Sequence, residues 1–157
     1  MQSKWIWYFG DFELYHSLKM QLRREEFDYH FVPFWRIDTC WHNVRFRKHV
    51  VLEKDEVITV YAHGVGRVEI DGKRYAFKKP ISINAGEHDL MITVGYPDGL
   101  PCIYVEGEAL VSDETWEVNH YGPDWVQAGC NDSYIYPQDN PLVFKFSYKE
   151  IYPITAQ

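Results

Sequence analysis

The sequence predicts an all-β protein built as one antiparallel β-sandwich with a short helical segment near the N-terminus. Three observations carry that expectation. From about Val44 to Val111, short runs of alternating apolar and polar residues are separated by turn residues at fairly regular intervals. Asp71-Gly72 stands between two such runs, and this pair suits a type I′ hairpin turn, in which both central residues need positive φ. Aromatic residues make up 17% of the 157 residues, as 6 Trp, 12 Tyr and 9 Phe, and such large flat side chains favour strands.

The elements follow in order. In Trp5-Ile6-Trp7-Tyr8 the two tryptophans share a face if the segment is extended, and they read as core. Leu14, Leu18 and Leu22 recur every four residues and mark the one candidate helix, continued by charged Arg23, Arg24, Glu25 and Glu26 and stopped by Pro33 at the latest. Val44, Phe46 and Val50 indicate a strand, and Val57, Thr59 and Tyr61 a second. Val68-Glu69-Ile70 and Tyr75-Ala76-Phe77 flank the Asp71-Gly72 turn. Ile81-Ser82-Ile83, Leu90 to Val94 and Ile103-Tyr104-Val105 continue the series. From Val111 to Pro141 no period is sustained, so this stretch is expected to be mostly long connection, the kind of segment that carries function or covers something. Leu142, Phe144, Phe146 and Tyr148 alternate with less apolar residues and should return as a late strand.

A chain of this length fits a single domain over residues 1–157 that can bury a substantial core. Its 46% hydrophobic and 25% charged residues argue against disorder. With 16 basic and 23 acidic residues the formal charge is -7, which argues against duplex nucleic acid or an anionic membrane as partner, because both demand a cationic surface. The short cluster Arg45, Arg47, Lys48 reads as a solvated strand face. No run approaches the roughly 18 to 20 apolar residues of a membrane span, and the start lacks the basic and apolar regions of a signal peptide. The expected location is therefore cytoplasmic. Cys40, Cys102 and Cys130 form no CxxC pair, so neither a disulfide framework nor a zinc ribbon is indicated. Asn131-Asp132-Ser133 fits a glycosylation acceptor, of little weight without an export signal.

Most common catalytic motifs are missing. Gly64-Val65-Gly66 begins like a dinucleotide fingerprint, but Glu69 occupies the third glycine position and the segment lies between strands, so it reads as a turn. There is no GxxxxGK[ST], GxSxG, HExxH or EF-hand pattern. The seven histidines are scattered without metal-ligand spacing. Asp11 with Glu13, or Asp113 with Glu114, can be nominated as a glycosidase pair, but Asp113-Glu114-Thr115 is more simply a turn before a strand. The polar stretch after Val111 is more suggestive. Trp116 and Trp125 lie there among Asn119, His120, Tyr121, Asp124, Asn131, Asp132 and Tyr134. A tryptophan face with nearby carboxylate and amide groups can bind a sugar, stacking on its apolar side and hydrogen-bonding its hydroxyls. The candidate carbohydrate-binding set is therefore Trp116, Trp125, His120, Asp124, Asn131, Asp132 and Tyr134. The competing reading is that both tryptophans only pin a long loop to the sandwich.

Several blocks, taken together, resemble the N-terminal β-sandwich region of bacterial α-L-rhamnosidases. They are Trp5-Ile6-Trp7-Tyr8 with Gly10-Asp11-Phe12-Glu13, Arg23-Arg24, Pro33-Phe34-Trp35-Arg36-Ile37-Asp38 and Asn43-Val44-Arg45-Phe46-Arg47-Lys48. Ile70-Asp71-Gly72, Ala85-Gly86-Glu87-His88, Gly99 to Gly107 and Ser112 to Val118 continue the series in order. The resemblance implies a jelly-roll, galactose-binding-domain-like module that stands ahead of an (α/α)6 catalytic barrel in the parent glycoside hydrolase. No succession of amphipathic helices able to form that barrel follows here, so the family's catalytic acids have no counterpart and no catalytic residue or metal site is expected. The implied role is a non-catalytic accessory domain that binds carbohydrate or supports the catalytic domain; the alternative is an interdomain scaffold without a ligand. The implied partners are that catalytic domain and rhamnose-containing glycans. Some family members bind rhamnose with calcium on a related sandwich, so calcium is the one cofactor the resemblance admits, although no ligand set maps onto positions here.

Overall fold

A computed structural model describes residues 2–16, 41–97 and 99–143. Its strands are β1 (Ile6–Trp7), β2 (Asn43–Leu52), β3 (Glu56–His63), β4 (Val65–Ile70), β5 (Lys73–Tyr75), β6 (Ile81–Ile83), β7 (Gly86–Gly95), β8 (Cys102–Glu106), β9 (Glu117–Asn119), β10 (Val126–Gln127) and β11 (Gly129–Cys130). They form an antiparallel sandwich: a five-stranded sheet in the order β11-β1-β8-β3-β6 and a six-stranded sheet in the order β10-β9-β2-β7-β4-β5.

The longest ladder joins β2 to β7, from Asn43 opposite Gly95 to Leu52 opposite Gly86. Side chains alternate across a strand, so Val44 and Phe46 meet Val94 and Ile92 inside the sandwich while Arg45 and Arg47 point outward beside Thr93 and Met91. The hairpin of β4 and β5 turns at Asp71 (φ 52) and Gly72 (φ 85), the pair of positive φ values that a type I′ turn requires. Asp71 is held further by Asp89, whose amide donates to Asp71 Oδ1 at 2.9 Å. β5 ends at Tyr75, so Ala76 and Phe77 lie beyond it. Upstream, Gly64 (φ 128) leads from β3 into β4, and Gly66 lets β4 approach β7: a Cβ there would fall 1.7 Å from the Thr93 carbonyl oxygen.

In β3 the residues turned into the core between the sheets are of opposite parity to the Val57, Thr59, Tyr61 pattern that marks the strand in the sequence. Ile58 and Val60 are fully buried between the sheets, while Val57 is 56% exposed. The five-stranded sheet is covered on both sides, which explains the ambiguity. Ile6, Val60, Ile103 and Val105 belong to the core between the sheets. Trp5, Trp7, Cys102 and Tyr104, of opposite parity, join Phe12, Leu100 and Tyr134 in a second core on the outer side, with Tyr61 and Leu142 packed against it. Trp5 and Trp7 thus share a buried face, as expected.

Residues 11–16 are helical, with the Leu14 amide donating to Gly10 O. Leu18, Leu22 and Arg23 to Glu26 lie outside the described residues, as does the late strand beyond Leu142, which itself sits in a turn. The stretch after Val111 is more ordered than expected, since it contributes β9, β10 and β11. Among the described residues no helix is long and apolar enough to cross a membrane, and Cys102 and Cys130 are unbonded thiols.

Candidate functional site

The most chemically distinctive surface forms where the outward face of β2 meets the segment following β9. Asn119, the last residue of β9, is completely buried, and its side-chain amide fixes that segment. Its Oδ1 accepts from Arg45 Nε at 3.1 Å and from the Tyr121 amide at 3.2 Å, and its Nδ2 donates to Gly122 O at 3.0 Å. Tyr121 adopts φ 71, a left-handed conformation that costs a non-glycine residue roughly 1–2 kcal/mol. Asn119 holds it there, with the ring 52% exposed. The Arg45 guanidinium lies 4.6 Å from the Tyr121 ring centre and 5.4 Å from that of half-buried Trp125. Arg47, two residues along on the same face, lies 3.9 Å from the Trp125 ring centre and donates through Nε to Glu117 Oε1 at 2.9 Å. Rather than being merely solvated, the two arginines of this strand face carry a tryptophan.

A second aromatic group adjoins through His120. Trp41, 46% exposed just before β2, stacks on the imidazole with ring centres 3.7 Å apart and planes within 2°. Tyr8 meets both rings edge-on, at 6.4 Å from Trp41 and 5.5 Å from His120. Beneath them Asp11 is only 5% exposed and accepts the Trp41 amide on Oδ2 at 3.0 Å. Burial pushes its carboxyl up to about 6, against the opposing pull of that hydrogen bond and of His120 and His42. The Tyr8 hydroxyl is also pushed above its ordinary range, first by burial and then by Asp11 and Asp124.

The residues expected to bind sugar fall into three places. His120 and Trp125 lie on the surface just described, and exposed Asp124, next to Trp125 in sequence, acts electrostatically on Tyr8. Trp116 is fully buried in the core between the sheets, where its Nε1 donates to Val111 O at 2.8 Å; its ring faces are closed to any sugar. Asn131, Asp132 and Tyr134 follow β11. Asn131 caps a turn through Ser133, Asp132 pairs with Lys4 at 2.9 Å, and Tyr134 is fully buried in the second core with its hydroxyl donating to Val143 O. Trp116 therefore does pin the chain to the sandwich, and Trp125 does not share that burial.

Tyr8, Trp41, Arg45 and Tyr121 are additional members of the surface, and buried Asn119 supports it. The available signal for Arg45 and Arg47 was their outward parity on a predicted strand; Trp41 and Tyr8 come from distant segments and are united with His120 only by the fold. The nominated carboxylate pairs do not form facing acids. Asp113 accepts from the Thr115 amide and hydroxyl in a turn before β9, Glu114 pairs with Lys4 at 3.7 Å, and Glu13 is exposed while Asp11 is buried. Among the described residues no three His, Cys, Asp or Glu side chains gather as a metal site would require.

The arrangement offers stacking rings beside a guanidinium, an imidazole and a carboxylate, the groups that hold ring-shaped polyhydroxylated ligands. In structure, the sandwich is similar to a lectin from Pleurotus ostreatus in complex with GalNAc, with a TM-score of 0.53 and 12% identity, covering 82% of this chain and 41% of the lectin chain. It is similar as well to the α-L-rhamnosidase of Streptomyces avermitilis complexed with L-rhamnose, with a TM-score of 0.52 and 16% identity, covering 82% of this chain and 14% of that enzyme. The chain thus corresponds to less than half the length of either relative. No curated protein matches it in sequence. A family model described as α-rhamnosidase-like, Bacteroidetes, N-terminal matches residues 44–136, from the start of β2 past β11. That match spans more than half of the sequence, and the chain belongs to the α-rhamnosidase-like N-terminal family of Bacteroidetes.

Proposed function

We propose that the chain is a non-catalytic accessory domain of an α-L-rhamnosidase-like glycoside hydrolase and binds carbohydrate through the surface around Trp41, His120, Tyr121, Asp124 and Trp125. In this reading residues 1–157 are the N-terminal part of a larger glycosidase, and the partner domain is its (α/α)6 catalytic barrel. The observation that carries the reading is the unburied aromatic group itself: Trp41 stacked flat on His120, with Tyr121 and Trp125 alongside. Rings left in contact with water beside polar groups suit the two-sided chemistry of a sugar, apolar on its faces and hydroxylated at its edge. Galactose-binding-like lectin and rhamnosidase neighbours of the fold support it.

Calorimetric titration with L-rhamnose and a panel of plant and bacterial glycans, with and without calcium, tests the proposal. Saturable binding is expected, and Trp125→Ala and Trp41→Ala are each expected to weaken it by about 1 kcal/mol, in line with aromatic contact energies. Unchanged affinity in both variants, with far-UV circular dichroism showing an intact fold, sinks the assignment.

The scaffold alternative has its own support in Phe9. This residue is 65% exposed and rims an open groove of about 530 Å³ together with Trp7, Gly10 and Ala128. Phe9→Ser should then lower the melting temperature of a longer polypeptide that includes the catalytic domain, and leave that of the isolated chain unchanged.

A further inference from the structure

We infer that the site selects sugars that carry a carboxylate, namely uronic-acid-containing glycans, and that Arg45 is the residue that reads the charge. The inference rests on the carbohydrate-binding reading above and adds a ligand class to it.

The argument begins with an imbalance of charge. The chain carries a formal charge of -7, so arginines on its surface readily find carboxylates. Arg47 is paired with Glu117, and Arg67 and Arg74 with Glu69. Arg45 differs, having no carboxylate within ion-pair distance among the described residues. Its contacts are with uncharged groups, the Asn119 amide oxygen and the rings of Tyr121 and Trp125, and it shares the Trp125 ring with Arg47.

The way Arg45 is held favours an incoming anion. Its contact with Asn119 uses only Nε, which leaves the two terminal nitrogens, whose parallel N–H groups match the two oxygens of a carboxylate. Flanking rings fix the guanidinium plane without neutralising it, so little side-chain freedom is lost when a ligand arrives. Asn119 is itself fully buried and bonded at both ends of its amide, so the supporting group is rigid. An arginine fixed in this way, with Trp125 and Tyr121 beside it, accommodates a sugar ring whose carboxylate meets the fork while an apolar face packs on an aromatic ring. A neutral sugar gains the second contact without the first.

The test compares a charged ligand with its neutral methyl ester. The whole chain is titrated with a short galacturonate oligomer and with its fully methyl-esterified form, at low and at high salt. The free acid should bind at least tenfold more tightly at low salt, and that advantage should shrink as salt rises. In Arg45→Gln the ratio of the two affinities should collapse towards one, and in Arg45→Lys, which keeps the charge but loses the fork, it should fall part of the way. Melting temperatures and ring-proton spectra of both variants establish that the fold is retained. Equal affinity of acid and ester for the unaltered chain overturns the inference and leaves the carbohydrate-binding reading standing. A preference for the acid that survives in folded Arg45→Gln also overturns it. Absence of binding to the acid, the ester and every neutral glycan defeats the carbohydrate-binding reading itself, and the inference falls with it.

Discussion

Asp11 shows how one side chain can tie the site to pH. Its folded-state value of about 6 lies above the ordinary 3.8, so between these values the folded chain keeps a proton that the unfolded chain has released. The contribution of Asp11 to stability therefore falls as pH rises through that window and stays lost above it, by about 3 kcal/mol at about 1.4 kcal/mol per unit. Asp11→Asn keeps an acceptor for the Trp41 amide and removes the charge. Measured melting temperatures should show the variant gaining on the parent as pH is raised from 3.5 to 7; a gap that stays constant with pH would show that Asp11 does not titrate in this way. At this scale the sequence was a partial guide. Trp116 and Trp125 sit in equally polar surroundings along the chain, yet one fills the sandwich and the other lies on two arginines. What separates them is three-dimensional: Trp116 precedes a strand that leads its ring inward, and Trp125 follows a segment that Asn119 folds back over β2.

The hairpin of β4 and β5 offers a comparison between two glycines, Gly66 within β4 and Gly72 in the turn. At Gly72 a Cβ would meet nothing within 4 Å, so Gly72→Ala carries only the backbone cost of positive φ, roughly 1 kcal/mol. At Gly66 the same atom would collide with the Thr93 carbonyl oxygen and force β4 away from its partner, a cost of at least ~2 kcal/mol by analogy with overpacked cores. Urea unfolding of the two variants should rank Gly66→Ala below Gly72→Ala in stability, and the reverse order would contradict the close approach of these strands. Legibility at the level of elements followed length and one-sidedness. The Asp71-Gly72 hairpin and the long β7 announced themselves because turn chemistry and alternation agreed. β3 carries apolar residues of both parities, Val57 and Tyr61 as well as Ile58 and Val60, so its alternation was degenerate and did not single out the inward face. β9, β10 and β11 have two or three residues each, too few to show a period.

Across the whole molecule, burial is lopsided. The five-stranded sheet is covered on both faces, while the six-stranded sheet keeps an outer face of ion pairs such as Arg47 with Glu117 and His49 with Asp89. If the outer cluster is a true core, Trp7→Ala should cost about as much as Phe46→Ala between the sheets, each in the range of roughly 3–5 kcal/mol. Denaturant midpoints provide the comparison, and a Trp7→Ala cost near that of a surface change would demote the cluster to a loose cover. The same lopsidedness explains why residues close in sequence did not make one site. Between Gln127 and Gly129 the chain crosses from the six-stranded to the five-stranded sheet, which carries Asn131, Asp132 and Tyr134 away from Trp125. The position of β1 also bears on synthesis. Its only strand partners among the described residues are β8 and β11, with Ile6 opposite both Ile103 and Cys130. Translation delivers Trp5 and Trp7 long before those partners exist, so the nascent chain leaves the ribosome with its most aromatic segment unpaired. Chaperone capture and misassembly should therefore concentrate on that early interval, and slowing translation would lengthen the exposure instead of easing the fold.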